Sequence, residues 1–143
     1  MSTATTQTAQ YVASAMASGR EGRAVTSDGR LDVALAAPRE LGGSGEGTNP
    51  EQLFAAGYAA CFASALGVVA RQRRVEDFDA AVTADVSLSG NGREGFGLAV
   101  VLHVELPEDV DRELGRELVD IAHQVCPYSN ATRGNIPVEL VVE

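Results

Sequence analysis

Between Glu51 and Gln72 the chain carries almost no charge: Leu53, Phe54, Tyr58, Phe62, Leu66 and Val69 stand among Ala55, Ala56, Gly57, Ala59, Ala60, Ala63 and Ala65. Thr48 or Asn49 can cap a helix here, Pro50 suits its first position, and Glu51 lies in the first turn, where the helix dipole favours an anion. A helix that is apolar on every side is expected to be buried, so this one should be the central element of the fold. By length it also approaches a membrane span. Glu51 and Gln52 at one end, Arg71 at the other and the Gly, Ala and Ser residues within argue instead for a protein core.

The remaining segments fit around that helix. With 143 residues, 45% hydrophobic and 22% charged, the chain is expected to form a single domain over residues 1–143. From Gln10 to Ala37, short β-type stretches punctuated by Ser18-Gly19, Gly22 and Ser27-Asp28-Gly29 predict a strand meander. Pro38 to Gly47, PRELGGSGEG, is glycine-rich and predicts a mobile loop without a regular element. Beyond the helix, Val82, Ala84, Val86 and Leu88 alternate with polar residues. Across Asn91-Gly92, a second alternating run passes through Phe96, Leu98, Val100, Leu102, Val104 and Leu106, which predicts a hairpin. Pro107 ends it. Val110, Leu114, Leu118, Ile121, Ala122 and Val125 then recur at helical spacing, ending near Cys126. Pro127 disfavours helix at Cys126, Ser129-Asn130 favours a turn, and a short strand through Val138, Leu140 and Val142 closes an α+β fold.

Charge narrows the function. The formal net charge is −9 and the pI near 4.6. The basic residues are scattered apart from Arg71-Gln72-Arg73-Arg74, so no nucleic-acid partner is expected. The opening MSTATTQTAQ has neither a basic nor an apolar targeting region, and a cytoplasmic location with no membrane partner is expected. In a reducing compartment the two cysteines, Cys61 and Cys126, are core fillers, metal ligands or a redox pair.

Burial alone would keep Cys61 protonated and inert. A thiolate in a dry site needs a fixed cation, and arginine is the best candidate because a carboxylate can hold it in a two-point pair. The residues by themselves do not rank the arginines. His123 and Cys126 are three apart, but two cysteines and two histidines without a second close pair make a poor zinc pattern. His103 is expected to face solvent or a partner surface, and Ser129 and Ser64 lack a histidine and acid constellation for hydrolysis.

The segments SGREGRAVTSDGRLDVALAAPRELGGSGEGTNPEQLFAAGYAACFASAL and VCPYSNATRGN together resemble the organic hydroperoxide resistance branch of the Ohr/OsmC family, from Tyr11 to the end of the chain. The resemblance implies an OsmC-like fold, with antiparallel sheets packed around two long helices in an intertwined homodimer. It also implies a peroxidase for organic hydroperoxides, including those of fatty acids. Cys61 would be the peroxidatic cysteine and Cys126 the resolving one, with Arg20 the activating cation and Glu51 the carboxylate that holds it; Arg23 does not align with that role. Phe54, Tyr58 and Phe62 are candidates to bind the organic tail. No bound cofactor is implied. The reductant would be an external dithiol, dihydrolipoamide or a lipoylated protein.

Glu51 precedes Cys61 by ten positions, about 15 Å of rise in a continuous helix. Either the first helical turn is displaced, or Glu51 and Arg20 serve a cysteine of a second subunit; the latter is favoured. The glycine-rich loop is expected to move on oxidation. A thiol-based redox sensor and an apolar-ligand-binding domain are the competing classes.

Overall fold

The structure, a computed structural model, describes residues 8–143, so most of the polar opening segment lies outside the described residues. The chain divides into two compact units, residues 1–49 and residues 50–143.

In the first unit, β1 (Ala15–Ala17), β2 (Arg23–Thr26) and β3 (Asp32–Ala34) form the expected antiparallel meander in the order β1-β2-β3. Asp28 closes the β2–β3 turn: its carboxylate accepts from the Arg30 N–H at 3.0 Å and the Thr26 hydroxyl at 2.7 Å, bonds that hold its pKa below the ordinary value. The Pro38–Gly47 segment departs from expectation. It carries a 3-10 turn at Arg39–Leu41, braced by Arg39 Nε donating to the Ser44 carbonyl and Gly43 N–H to the Pro38 carbonyl, each at 3.0 Å. A Cβ on Gly43 would lie 2.1 Å from the Ala37 carbonyl oxygen, so this glycine permits a close approach of two backbones.

The second unit comprises α1 (Pro50–Gln72), β4 (Ala81–Asn91), β5 (Gly95–Glu105), α2 (Arg112–Val125), α3 (Pro127–Thr132) and β6 (Val138–Val142). β4 and β5 form the expected hairpin, paired from Ala81 opposite Glu105 to Asn91 opposite Gly95. Asn91 Oδ1 shapes its turn by accepting from the N–H groups of Arg93 and Glu94 at 2.9 and 2.8 Å. The β4–β5 pairing is antiparallel as expected, and β6 adds a strand parallel to β5, so this sheet is mixed. The reason is the connection: α2 and α3 carry the chain back between β5 and β6, a helical crossover of the kind parallel strands require.

Val100, Leu102 and Val104 are buried toward the helices, while His103 lies on the opposite face of the sheet. α2 starts on Asp111, whose side chain accepts from the Leu114 N–H at 3.3 Å, and it buries Leu118, Val119 and Ala122. α1 is buried on one face only. Tyr58, Phe62, Leu66 and Val69 enter the core, whereas Ala56, Ala60 and Ser64 are exposed, contrary to the reading of a wholly buried helix. Its large apolar residues turn inward, together with Ala65 and Ala70, and its exposed face at Ala56, Ala60 and Ser64 carries only small ones.

Candidate active site

Cys61 stands at the midpoint of α1, and Cys126 sits between α2 and α3. The residue before proline is pushed out of the helical region, and Cys126 accordingly has φ −62° and ψ 123°. Pro127, with its preset φ and missing N–H, then opens α3. A short helix therefore replaces the turn expected at Ser129-Asn130: the proline that ends one helix begins the next. This elbow brings the Cys126 thiol, fully buried, to 3.4 Å from the half-buried Cys61 sulfur. The two sulfurs are in contact and not bonded to each other.

Burial raises the Cys61 pKa above the ordinary thiol value. The backbone N–H of Tyr128 opposes the rise, and the neighbouring Cys126 thiol adds to it. Within this arrangement Cys61 therefore favours the thiol, and a cation is what would reverse that preference. Arg20 is exposed in the turn between β1 and β2, and Glu51 is half-buried in the first turn of α1. α1 is continuous from Pro50, so the first turn is not displaced, and Glu51 remains about 15 Å of helical rise from Cys61 of its own chain.

Three aromatic rings cluster from the two segments that carry the cysteines, Tyr58 three residues before Cys61 and Tyr128 two residues after Cys126. Phe54 stacks on Tyr128 with ring centroids 5.8 Å apart and meets Tyr58 edge-on at 5.9 Å; Tyr58 and Tyr128 are 5.5 Å apart. Tyr58 and Phe62 are fully buried, whereas Phe54 and Tyr128 keep partial exposure. Two participants escaped the sequence reading. Tyr128 reaches Cys61 through its backbone, which no side-chain pattern signals. Ser129 does have a histidine partner, His123 Nδ1 at 2.8 Å, but its hydroxyl is fully buried and shared with Tyr58 at 2.8 Å. Among the described residues no three His, Cys, Asp or Glu side chains gather in a metal-holding group.

The OsmC-like protein family model matches residues 43–141. The organic hydroperoxide resistance protein of Xanthomonas axonopodis pv. citri is 55% identical over 135 residues, covering 92% of this chain and 94% of that protein. The chain belongs to the OsmC-like family, in its organic hydroperoxide resistance branch. The fold agrees with that of solved members. The organic hydroperoxide resistance protein of Legionella pneumophila has a TM-score of 0.90 at 49% identity, covering 95% of this chain and 99% of that one. OhrB of Bacillus subtilis has a TM-score of 0.84 at 45% identity, covering 94% and 100%.

Proposed function

We propose that this protein is a cysteine-based thiol peroxidase that reduces organic hydroperoxides, alkyl and fatty-acid alike, to alcohols, with residues 1–143 acting as one Ohr/OsmC-like domain. The observation that carries the reading is the pair of unbonded cysteine sulfurs 3.4 Å apart, one of them fully buried. The Cys61 thiolate takes the distal oxygen of ROOH; the O–O bond breaks, the alkoxide picks up a proton and leaves as ROH, and Cys61 becomes a sulfenic acid. The Cys126 sulfur then bonds to Cys61, the S–O bond breaks, and hydroxyl and thiol proton leave together as water. An external dithiol, such as dihydrolipoamide or a lipoylated protein, reopens the disulfide by exchange.

Arg20 supplies the cation that stabilises the thiolate and the charge developing on the departing oxygen, and Glu51 orients it. The helical rise between Glu51 and Cys61 favours a homodimer in which the partner subunit's Arg20 and Glu51 serve each Cys61. The exposed small-residue face of α1 suits close approach of a second copy. Phe54 is the partly exposed candidate for the organic tail; Tyr58 and Phe62 back it from the core. The protein acts in the cytoplasm, and residues 38–47 move on oxidation, which hydrogen exchange of reduced and oxidised protein would register.

Steady-state consumption of cumene hydroperoxide with dihydrolipoamide, run beside hydrogen peroxide, tests the reading. Turnover that prefers the organic peroxide and vanishes in Cys61→Ser is expected. Consumption of one equivalent per chain in excess dithiol would mark a sensor, and undiminished function of Cys61→Ser a binding domain; either result overturns the proposal.

A further inference from the structure

The elbow that carries Cys126 is tied by a closed set of hydrogen bonds. His123 Nδ1 meets Ser129 Oγ at 2.8 Å, Ser129 Oγ meets Tyr58 Oη at 2.8 Å, and Tyr58 Oη meets Thr132 Oγ1 at 3.2 Å. Thr132 Oγ1 in turn donates to the Ser129 carbonyl at 3.2 Å. Four bonds need four protons, and three hydroxyls supply three. The Ser129 carbonyl only accepts, from the Arg133 N–H at 2.9 Å as well as from Thr132; with all four side-chain bonds made, Thr132 donates to it, Tyr58 to Thr132, Ser129 to Tyr58, and His123 to Ser129 through Nδ1–H. No buried side-chain nitrogen or oxygen among the described residues lacks a partner, so this network is fully satisfied. The Arg133 guanidinium adds a bond to the His123 carbonyl and another to Asn130 Oδ1 at 2.8 Å.

This set joins three helices around one cysteine. Tyr58 belongs to α1, one turn before Cys61; His123 is in the last turn of α2; Ser129 and Thr132 are in α3. To close a disulfide the sulfurs must draw in from 3.4 Å to about 2 Å, so the elbow has to be held close without being held in the wrong place. We propose that His123, as its Nδ1–H tautomer, together with Ser129, is a positioning pair for Cys126 that sets the rate of disulfide closure and not the attack on peroxide. The role rests on the peroxidase reading above. Burial lowers the His123 pKa, and the nearby Arg133 charge lowers it further while Asp120 opposes them, which keeps the ring neutral and its tautomer defined at neutral pH.

The test replaces His123 by Asn, whose amide nitrogen stands the same number of bonds from Cβ as Nδ1, and by Gln, whose amide nitrogen is one bond farther. Sulfenic acid formation and its conversion to disulfide are timed separately after one equivalent of cumene hydroperoxide, by quenching and mass measurement. Closure is expected to slow about tenfold in His123→Gln and to recover in His123→Asn, at comparable thermal stability. Nitrogen NMR of the wild type should find Nδ1 protonated and Nε2 unprotonated. Equal closure rates in wild type, Asn and Gln variants, or a neutral Nε2–H ring, would overturn the inference. Absence of any sulfenic acid in the wild type would defeat the peroxidase reading instead, while the tautomer measurement stands independently of activity.

Discussion

Gly57→Ala puts a methyl group where the structure has Tyr128. An added Cβ would lie 2.6 Å from the Tyr128 hydroxyl oxygen and 3.2 Å from two of its ring carbons. Comfortable contact begins at about 3.5 Å, so the ring must retreat by up to about 1 Å. It has little freedom to do so, because Phe54 stacks on it at 5.8 Å and Tyr58 stands 5.5 Å away. Overpacking of this kind costs about 1–3 kcal/mol, while Ala in place of a mid-helix Gly contributes about 1 kcal/mol in the opposite direction. The net loss is therefore about 0–2 kcal/mol, a fall in Tm of up to about 8 °C. The larger effect falls on chemistry: Tyr128 presents its backbone N–H to the Cys61 sulfur, and Cys126 lies two residues before it. Displacing the ring drags the start of α3 and widens the gap between the sulfurs, so disulfide closure slows about tenfold, equivalent to about 1.4 kcal/mol of barrier. Thermal unfolding of the reduced protein and quenched mass measurement of closure report the two effects separately. A variant about 1 kcal/mol more stable than wild type, closing at the wild-type rate, would refute the reasoning.

Three other outcomes are expected. Arg20→Ala should raise the pH at which Cys61 becomes reactive to iodoacetamide, since burial then acts without its proposed counter-charge; an unchanged alkylation profile would remove Arg20 from the site. Phe62→Ala, at a fully buried position, should destabilise the protein by about 3–5 kcal/mol in urea unfolding. The protonated His103 ring donates from Nδ1 to Glu143 at 3.0 Å and from Nε2 to Asp85 at 2.9 Å, and these two bonds, Glu143 first, raise its pKa above the ordinary 6.5. A raised histidine pKa stabilises the fold fully below the unfolded value and less as pH rises through the folded one. His103→Gln should therefore unfold more readily than wild type at pH 5.5, with the difference shrinking by pH 8.5.

Local pattern carried much of this molecule. The alternation around Asn91 specified the β4–β5 hairpin, and the spacing from Leu114 to Val125 specified α2, because each of these elements exposes one face and buries the other. α1 was harder to read for the same physical reason. Its two faces differ in size and not in polarity, so a hydrophobic count cannot separate Tyr58, Phe62 and Leu66 from Ala56 and Ala60. The parallel placement of β6 depends on where a crossover returns, and a strand's own residues do not encode its direction. At the site, the approach of Cys61 to Cys126 joins positions 65 apart; the residues alone left a redox pair as one of three readings, and family resemblance selected it. The Pro127 signal was read once when it acts twice, as terminator of α2 and as first residue of α3. That double use is also what gives the site its geometry. Two helices meeting end to end at one extended residue present the Cys126 thiol sideways, toward α1, and burying the hydroxyls of Tyr58, Ser129 and Thr132 there is tolerable only because each satisfies the next.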